Sequence, residues 1–230
     1  AAAPVALHTV QGQEGALKGQ RAVSYLSVAK PSSYEKVIEK SRFLTYVAHT
    51  EDEAAARAFL AEVRAQHPLA THVCYAFVAD RIGNLMRFSD DGEPQGTAGM
   101  PILGVIRARK LFETGVAVVR YFGGIKLGAG GLTRAYSSSA AEALERAEIC
   151  EYAVCVEVTI AVNYPEVNAL TRFLEGESVL FREFAEKASF TVAVREENVD
   201  DFCARCSDIL IGRAEILRGK SYFSPFPLEK

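Results

Sequence analysis

The stretch "GVAVVRYFGGIKLGAGGLTR" (residues 115–134) joins an apolar run to a glycine-rich segment. Its first part is a nearly continuous series of apolar residues, which predicts a buried strand. Its second part, "RYFGGIKLGAGGLTR" (residues 120–134), holds five glycines and three basic residues and no acid. Beyond it, apolar residues recur at helical spacing as far as Ala147. The stretch therefore predicts a strand, a glycine turn and a long helix in succession.

Further elements are predicted upstream of this stretch from periodicity and turn residues. Thr50 with Glu53 is expected to form a capping box for a first helix, and Thr97 to cap a second. The predicted elements are a strand over residues 42–50, a helix over 54–66, a hairpin over 71–91 and a helix over 97–112.

The last 80 residues follow a different order of elements. Alternating apolar segments and two helical segments succeed each other as β-α-β-β-α-β, the ferredoxin-like arrangement. A domain boundary is expected near Glu151. The sequence thus predicts an α+β fold with a mobile arm or expression remnant over residues 1–24, an N-terminal domain over 25–150 and a ferredoxin-like domain over 151–230.

Composition indicates the class of protein. The chain has 230 residues, of which 49% are hydrophobic and 24% charged, as in soluble globular proteins. No apolar run is long enough for a membrane span, so we expect a cytoplasmic protein without membrane contact. Its five cysteines do not indicate a disulfide framework. Residues 1–150 carry 17 Lys and Arg against 15 Asp and Glu, whereas the rest of the chain is acidic.

The glycine segment has the chemistry of an anion site. Backbone N–H groups at a helix start attract phosphate, and Lys126 and Arg134 would strengthen that attraction. The P-loop pattern fails because Ala129 and Gly130 stand where Lys and Ser or Thr are needed, so no nucleotide cofactor is predicted. The alternative is a tight structural turn. The candidate nucleic-acid or anion-binding residues are Arg120, Tyr121, Gly123, Gly124, Lys126, Gly128, Gly130, Gly131 and Arg134.

An acidic turn, "SDDGEPQGTAG" (residues 89–99), is the second candidate site. Asp90, Asp91, Gly92 and Glu93 are predicted to form a turn that contacts a partner. Its carboxylates could instead hold Mg²⁺ or act as a general base, although no metal ligand is assigned. A third alternative is that these acids pair with the basic residues of the glycine segment inside the fold.

Other reactive side chains give weaker signals. His72 and Cys74 share one face of a predicted strand, and Cys203 and Cys206 form a C-x-x-C on a predicted helix. Ordinary packing accounts for both pairs. No known nucleophile motif occurs, so the sequence assigns no catalytic residue and favours a binding protein over an enzyme.

The segments "FSDDGEPQGTAGMPIL" and "VVRYFGGIKLGAGGLTRAYSSS" closely resemble the IMPACT family, and within it the bacterial YigZ-like members. The resemblance runs from about Tyr25 to the end of the chain. By resemblance, the family fingerprint comprises Asp90, Asp91, Gly92, Glu93, Pro94, Gly96, Thr97, Gly99, Arg120, Tyr121, Gly123, Gly124, Lys126, Leu127, Gly128, Gly130, Gly131, Leu132 and Arg134.

The resemblance implies a fold for each domain and an involvement in translation. The N-terminal domain is expected to be similar to the second domain of ribosomal protein S-five and to domain four of elongation factor G, and the C-terminal domain to domain five of that factor. Eukaryotic relatives carry an extra N-terminal domain and regulate translation by binding a protein partner. Bacterial relatives are suspected of contacting nucleic acid or the ribosome.

Three functions follow as hypotheses. The first is a non-enzymatic, translation-related protein that binds RNA or a ribosomal surface through the basic glycine segment. The second is a protein-interaction module that regulates translation by competing for a protein partner through the acidic turn or the acidic C-terminal part. The third is a metal-dependent hydrolase that uses the carboxylates of the acidic turn.

Overall fold

The computed structural model describes residues 24–228 as an α+β chain whose strands pair in two antiparallel sheets. The ten strands are β1 (Tyr25–Val28), β2 (Ser32–Ile38), β3 (Ser41–His49), β4 (His72–Val78), β5 (Met86–Ser89), β6 (Thr114–Tyr121), β7 (Ile149–Val162), β8 (Ser178–Phe184), β9 (Ala188–Arg195) and β10 (Glu215–Pro227). The five α-helices are α1 (Glu53–Gln66), α2 (Gly99–Ala108), α3 (Gly128–Arg146), α4 (Val167–Phe173) and α5 (Val199–Ile209).

The first sheet has the strand order β2-β3-β6-β4-β5 and carries helices on both faces. Its central strand, β6, is buried on both sides, which explains why its sequence is apolar without alternation. Val116 and Val118 pack with α2 and α3 on one face. Ala117 and Val119 pack with α1 on the other. The strand predicted from the opening stretch therefore organises both layers of this core.

The second sheet has five strands; four of them have the order β8-β9-β7-β10 and follow the predicted β-α-β-β-α-β sequence of elements, and the fifth is β1. Helices α4 and α5 cover one face, where Val158, Ile160 and Phe190 are buried. The division into two domains stays a prediction. The strand β1 pairs with the first residues of β7, so one short strand near the start of the described chain belongs to the second sheet.

Several local expectations are wrong. Asp52, and not Thr50, caps α1, because its carboxylate accepts a hydrogen bond from the backbone N–H of Ala55 at 2.7 Å. Thr97 does not cap α2 either; the cap residue is Ala98, and it makes no side-chain cap bond.

The strands β1 and β2 were not among the predicted elements. The predicted arm lies outside the described residues except for Ser24. No helix of residues 24–228 has the length and apolarity to cross a membrane.

A buried polar network around Glu113 connects the two sheets. The Glu113 carboxylate accepts hydrogen bonds from Tyr25 on β1 and, at 2.9 Å, from Nε of Arg81. Nε2 of His49, at the end of β3, lies 3.5 Å from the same carboxylate. Ser27 donates to the backbone carbonyl of Glu113 at 3.1 Å. One carboxylate thus contacts β1, the end of β3 and the turn after β4.

Burial changes the protonation of this network. Desolvation raises the pKa of Glu113 above its usual range. It also lowers the pKa of His49 to about 4, and the nearby charge of Arg81 acts in the same direction. The imidazole of His49 stacks on Tyr152 of β7 with ring centroids 4.3 Å apart. His49 is therefore a neutral ring between the two sheets at neutral pH.

The lowered pKa of His49 predicts a loss of stability in mild acid. The unfolded chain takes up a proton below about pH 6.5 that the folded chain takes up only near pH 4. The free energy of unfolding should therefore fall as pH decreases from about 7 to 5, with a contribution of at most about 1.4 kcal/mol per pH unit. Urea denaturation across this range should show a shallower decline in His49→Gln. An equal slope in the two proteins would contradict the assignment.

Candidate functional site

The first carboxylate of the acidic turn caps helix α2. Asp90 accepts backbone hydrogen bonds from Gly96 at 2.8 Å, Ala98 at 3.0 Å and Gly99 at 2.8 Å. Burial opposes ionisation of Asp90, but these three N–H donors hold its pKa below the usual range. Asp90, nine positions before the start of α2, therefore caps this helix, which was the role predicted for Thr97.

The second carboxylate attaches the turn to its neighbours. Asp91 accepts a hydrogen bond from Arg64 of α1 at 2.9 Å and from the backbone N–H of Val73 at 2.6 Å. Its carbonyl accepts from Nδ1 of His72 at 2.8 Å. Burial opposes ionisation, and the guanidinium of Arg64 outweighs it, so the pKa of Asp91 is lowered. Asp91 thus joins α1, β4 and the turn.

The third carboxylate is buried and pairs with the glycine segment. Glu93 is 9% exposed, and Arg120 of β6 is 5% exposed. Nη1 of Arg120 donates to Oε1 of Glu93 at 2.6 Å, and the hydroxyl of Tyr136 on α3 donates to the same oxygen at 2.7 Å. Nη2 of Arg120 donates to Ser41 at 3.2 Å. Arg120 and Glu93 therefore lie inside the fold, where neither can meet a surface partner.

The candidate reactive side chains have structural contacts. The thiol of Cys74 is buried and donates to the carbonyl of Asp90 at 3.0 Å, and burial raises its pKa to about 12. Cys203 and Cys206 are also buried, and burial raises the pKa of Cys206 to about 11. The thiols of Cys74 and Cys206 are therefore poor nucleophiles, because little thiolate forms at neutral pH. Within residues 24–228 no three His, Cys, Asp or Glu side chains converge as metal ligands do.

The first glycines of the segment have conformational and packing roles. A Cβ on Gly123 would overlap the backbone carbonyl of Lys40, in the turn between β2 and β3. The N–H of Gly123 donates to Ser41 at 3.2 Å. Gly124 and Gly128 have φ values of 89° and 67°, which favour glycine. These glycines therefore fit the segment against the β2–β3 turn and direct it into α3.

Helix α3 begins with free backbone donors and a nearby cation. Its cap residue, Leu127, makes no side-chain cap bond, and its first turn contains no acid. An ideal Cβ on Gly130 would lie 3.6 Å from Nη1 of Arg134, so this guanidinium extends over the first turn. Gly131 fits closely against Leu127. The start of α3 is therefore a region of positive potential.

Two basic side chains and one aromatic side chain of the segment face outward. Lys126 and Arg134 are exposed, and among the ion pairs of residues 24–228 neither takes part in one. Phe122 is 47% exposed. Tyr121 is half-buried, with its hydroxyl 2.8 Å from Nδ1 of His67. We call Phe122, Lys126 and Arg134 the loop surface.

The structure thus separates the predicted site residues into two groups. Glu93 and Arg120 are internal, whereas Lys126 and Arg134 stay accessible. Phe122 was absent from the predicted site residues, although alternation along β6 indicated that only one of Tyr121 and Phe122 would face solvent. The role of Tyr136 was also missed. The sequence did carry a signal for this role: Tyr136 lies in an otherwise apolar helical stripe, and a buried tyrosine hydroxyl needs a hydrogen-bond partner.

Comparison with known proteins identifies relatives over most of the chain. The family of the Impact N-terminal domain matches residues 39–144. IMPACT family member YvyE of Bacillus subtilis is 35% identical over 199 residues, which are 86% of this chain and 92% of that protein. IMPACT family member YigZ of Escherichia coli is 36% identical over 199 residues, 84% of this chain and 97% of that protein.

A third relative and a solved structure agree with these matches. The "IMPACT family member in pol 5'region" of Thermus thermophilus is 49% identical over 152 residues, 64% of this chain and 82% of that protein. A solved structure, "Crystal structure of an hypothetical protein", is 35% identical with a TM-score of 0.56 and covers 84% of this chain and 96% of its own. The acidic turn and the glycine segment both lie within the matched residues 39–144.

The buried ion pair predicts unequal effects of two arginine substitutions. Arg120→Met should lower the free energy of unfolding by about 3 to 5 kcal/mol, because it leaves the Glu93 carboxylate buried without its cation. Arg134→Met, at an exposed position, should change it by less than about 0.5 kcal/mol. Adding Glu93→Gln to Arg120→Met should recover part of the loss. Similar values for the two single variants in urea denaturation would contradict the burial of the pair.

The contact of Gly123 predicts opposite effects of two glycine substitutions. Gly123→Ala should destabilise the fold by about 1 to 3 kcal/mol, because its Cβ needs the backbone of Lys40 to move. Gly104→Ala should stabilise it by about 0.5 to 1 kcal/mol, since Gly104 lies in α2 with open space around its Cα. Thermal and urea denaturation measure both effects. A neutral Gly123→Ala would show that the segment does not pack as described.

Proposed function

The chain belongs to the IMPACT family, and we propose that it is a non-enzymatic, translation-related protein that contacts RNA or a ribosomal surface through its loop surface. The observation that carries the proposal is that Lys126 and Arg134 are exposed and have no acidic partner within residues 24–228, beside a start of α3 that has no side-chain cap. Positive side chains and free N–H groups at one helix start are the chemistry that binds phosphate.

Each part of the loop surface has a separate task in this proposal. Lys126 and Arg134 meet phosphate groups of the RNA backbone. The glycines beside them lack side chains, so a phosphate can approach the first N–H groups of α3. Phe122 offers a ring on which an unpaired base can stack. Tyr121 and Arg120, which the sequence also suggested, take no direct part because the fold already uses their polar groups.

The metal-hydrolase hypothesis loses support from the contacts of the acidic turn, and so does the protein-partner hypothesis where it relies on that turn. Asp90 caps α2, Asp91 bonds to Arg64 and Val73, and Glu93 is buried. Carboxylates with such contacts are poorly placed to recognise a protein partner or to hold a catalytic metal. The proposal therefore assigns the acidic turn to support of the glycine segment and assigns recognition to the loop surface.

We extend the proposal to fold relationships and location. The first unit is proposed to be similar to the second domain of ribosomal protein S-five and to domain four of elongation factor G. The strand order β8-β9-β7-β10 supports the likeness of the second unit to domain five of that factor. Free, buried cysteines are consistent with a reducing compartment, so we propose a cytoplasmic protein.

Titration of labelled RNA tests the loop surface. Fluorescence anisotropy would follow binding of a single-stranded and a hairpin RNA at several salt concentrations. Lys126→Ala and Arg134→Ala should each reduce the slope of log K against log salt by about 1, because each removes one phosphate contact. Phe122→Ala should weaken binding of the single strand by about 1 to 3 kcal/mol and leave the slope unchanged. The matched control is Arg172→Ala, an exposed arginine on α4.

The outcome separates specific contact from general charge attraction. Equal losses in Arg172→Ala and Arg134→Ala would show that net charge, and not the loop surface, determines binding. Absence of RNA binding by the unmodified chain at low salt would reject the proposal. A circular dichroism melt of each variant confirms that the substitutions leave the fold intact.

A further inference from the structure

An uncovered groove lies on the first sheet, apart from the loop surface. Helix α1 packs mainly over β6 and β4, so within residues 24–228 no helix is centred over β2 and β3 on that face. The groove between α1 and these two strands has a volume of about 460 Å³. Its walls and floor are largely apolar and include Tyr46, Ala48, Phe59 and Val63. Such a site suits a side chain of a partner.

Among the strands of residues 24–228, none pairs with the outer edge of β2, so this edge can accept another strand. β2 lies at one edge of the first sheet, with β3 beside it. It joins β3 through the two-residue turn Glu39–Lys40, in which both φ values are positive, at 45° and 62°. Such a turn closes on a hydrogen-bonded pair, here Ile38 and Ser41, and hydrogen-bonded pairs then alternate along the ladder. The backbone N–H and C=O groups of Ser33, Glu35 and Val37 therefore point away from β3.

The same three residues also face the groove side of the sheet. Ser33, Glu35 and Val37 are exposed, whereas the alternate residues of β2 face α3. Lys36, for example, bonds to Glu142 of α3 at 2.7 Å. Val37 is 62% exposed, and Ser33 is small, so the end of the groove stays open above β2. An added strand would thus lie beside an apolar groove and an unpaired edge.

The charge of the groove indicates the chemistry of its occupant. Of the residues that line it, all within the described chain, Glu62 alone carries a charge. Glu35 on the adjacent strand is already paired with Arg42, at 2.7 Å. A basic side chain would complement Glu62, whereas RNA phosphates would be repelled by it.

We propose that β2 and this groove bind an extended peptide of a partner protein. The peptide adds to β2 as an edge strand, places an apolar side chain over Ser33 at the open end of the groove, and directs a lysine or arginine two positions along the peptide, on the same face, to Glu62. A second copy of the chain fits less well. Its β2 would bring Glu35 towards Glu62, and the face of β2 that carries Glu35 has no basic side chain. The proposal shares no residue with the loop surface and does not depend on RNA binding.

A designed peptide probes the groove. The probe is a fluorescein-labelled peptide with the 7-residue length of β2, with arginine at its fourth position, valine at its second and sixth positions and threonine elsewhere, so that the two valines and the arginine share one face. A second probe carries glutamate in place of arginine. Anisotropy titration of the full chain should show saturable binding of the arginine probe and weaker binding of the glutamate probe, because Glu62 attracts one and repels the other.

Matched variants identify the surface that binds. Ala58 and Ala54 are both exposed on α1, but only Ala58 lines the groove. Ala58→Trp should weaken binding of the arginine probe by about tenfold or more because it fills the groove, whereas Ala54→Trp should leave it unchanged. Ser33→Pro removes one outward N–H and should weaken binding about three- to tenfold, with Ser33→Ala as its control.

The role of the Glu62 charge is tested with one variant and one matched control. Glu62→Gln should reduce the preference for the arginine probe about threefold. Glu145→Gln, on α3 at the opposite face of the sheet, should leave the preference unchanged. Thermal melts of all variants verify that they fold.

Three outcomes would overturn the proposal. One is the absence of saturable binding of the arginine probe. Another is equal binding by Ala58→Trp and Ala54→Trp. The last is a dimer in sedimentation equilibrium that Ala58→Trp dissociates, because it would show that a second copy of the chain occupies the groove.

Discussion

The buried ion pair between Arg120 and Glu93 is the interaction on which the rest of the first unit depends. Arg120 lies on β6, Glu93 on the acidic turn before α2, and Tyr136 of α3 bonds to the same carboxylate. A charge pair in this environment is costly unless each partner is satisfied, so these three elements must assemble together. The pair thereby fixes where the glycine segment leaves the sheet. It also gives one acid of the acidic turn and one base of the glycine segment a shared role inside the fold.

The sequence predicted the parts of this unit that depend on local pattern. The strand β6, the glycine turn and α3 followed from one continuous stretch, because apolar runs, glycine and helical spacing act over a few residues. The α+β class and the order of elements in the second half followed in the same way. β1 was missed because it is only 4 residues long, and β2 because its residues are mixed in polarity. Their strand structure comes from pairing with β7 and β3, which lie elsewhere in the chain.

The site was harder to predict than the fold because its contacts are long-range. A serine or threonine beside a helix start is a good local cap, yet Asp90 reaches the start of α2 from the preceding turn and displaces Thr97. Arg120 has the same charge and nearly the same position in the sequence as Lys126. Only the pleat of β6 determines that Arg120 faces inward, and only the acidic turn provides its partner. Sequence alone listed the basic residues together, and the fold separates them into internal and accessible groups.

This separation has a consequence for how the glycine segment can act. Residues that fix its position, such as Gly123 and Arg120, contact the β2–β3 turn and the acidic turn, so substitutions there change the stability of the fold. Residues that face solvent, such as Lys126 and Arg134, make no such contacts and are free to interact with another molecule. In the proposed binding of RNA, a rigid support beneath accessible cations would lower the entropy lost, because the loop would already be ordered. The same reasoning applies to the β2 edge, whose inner ladder to β3 holds the outward backbone groups in position for an added strand.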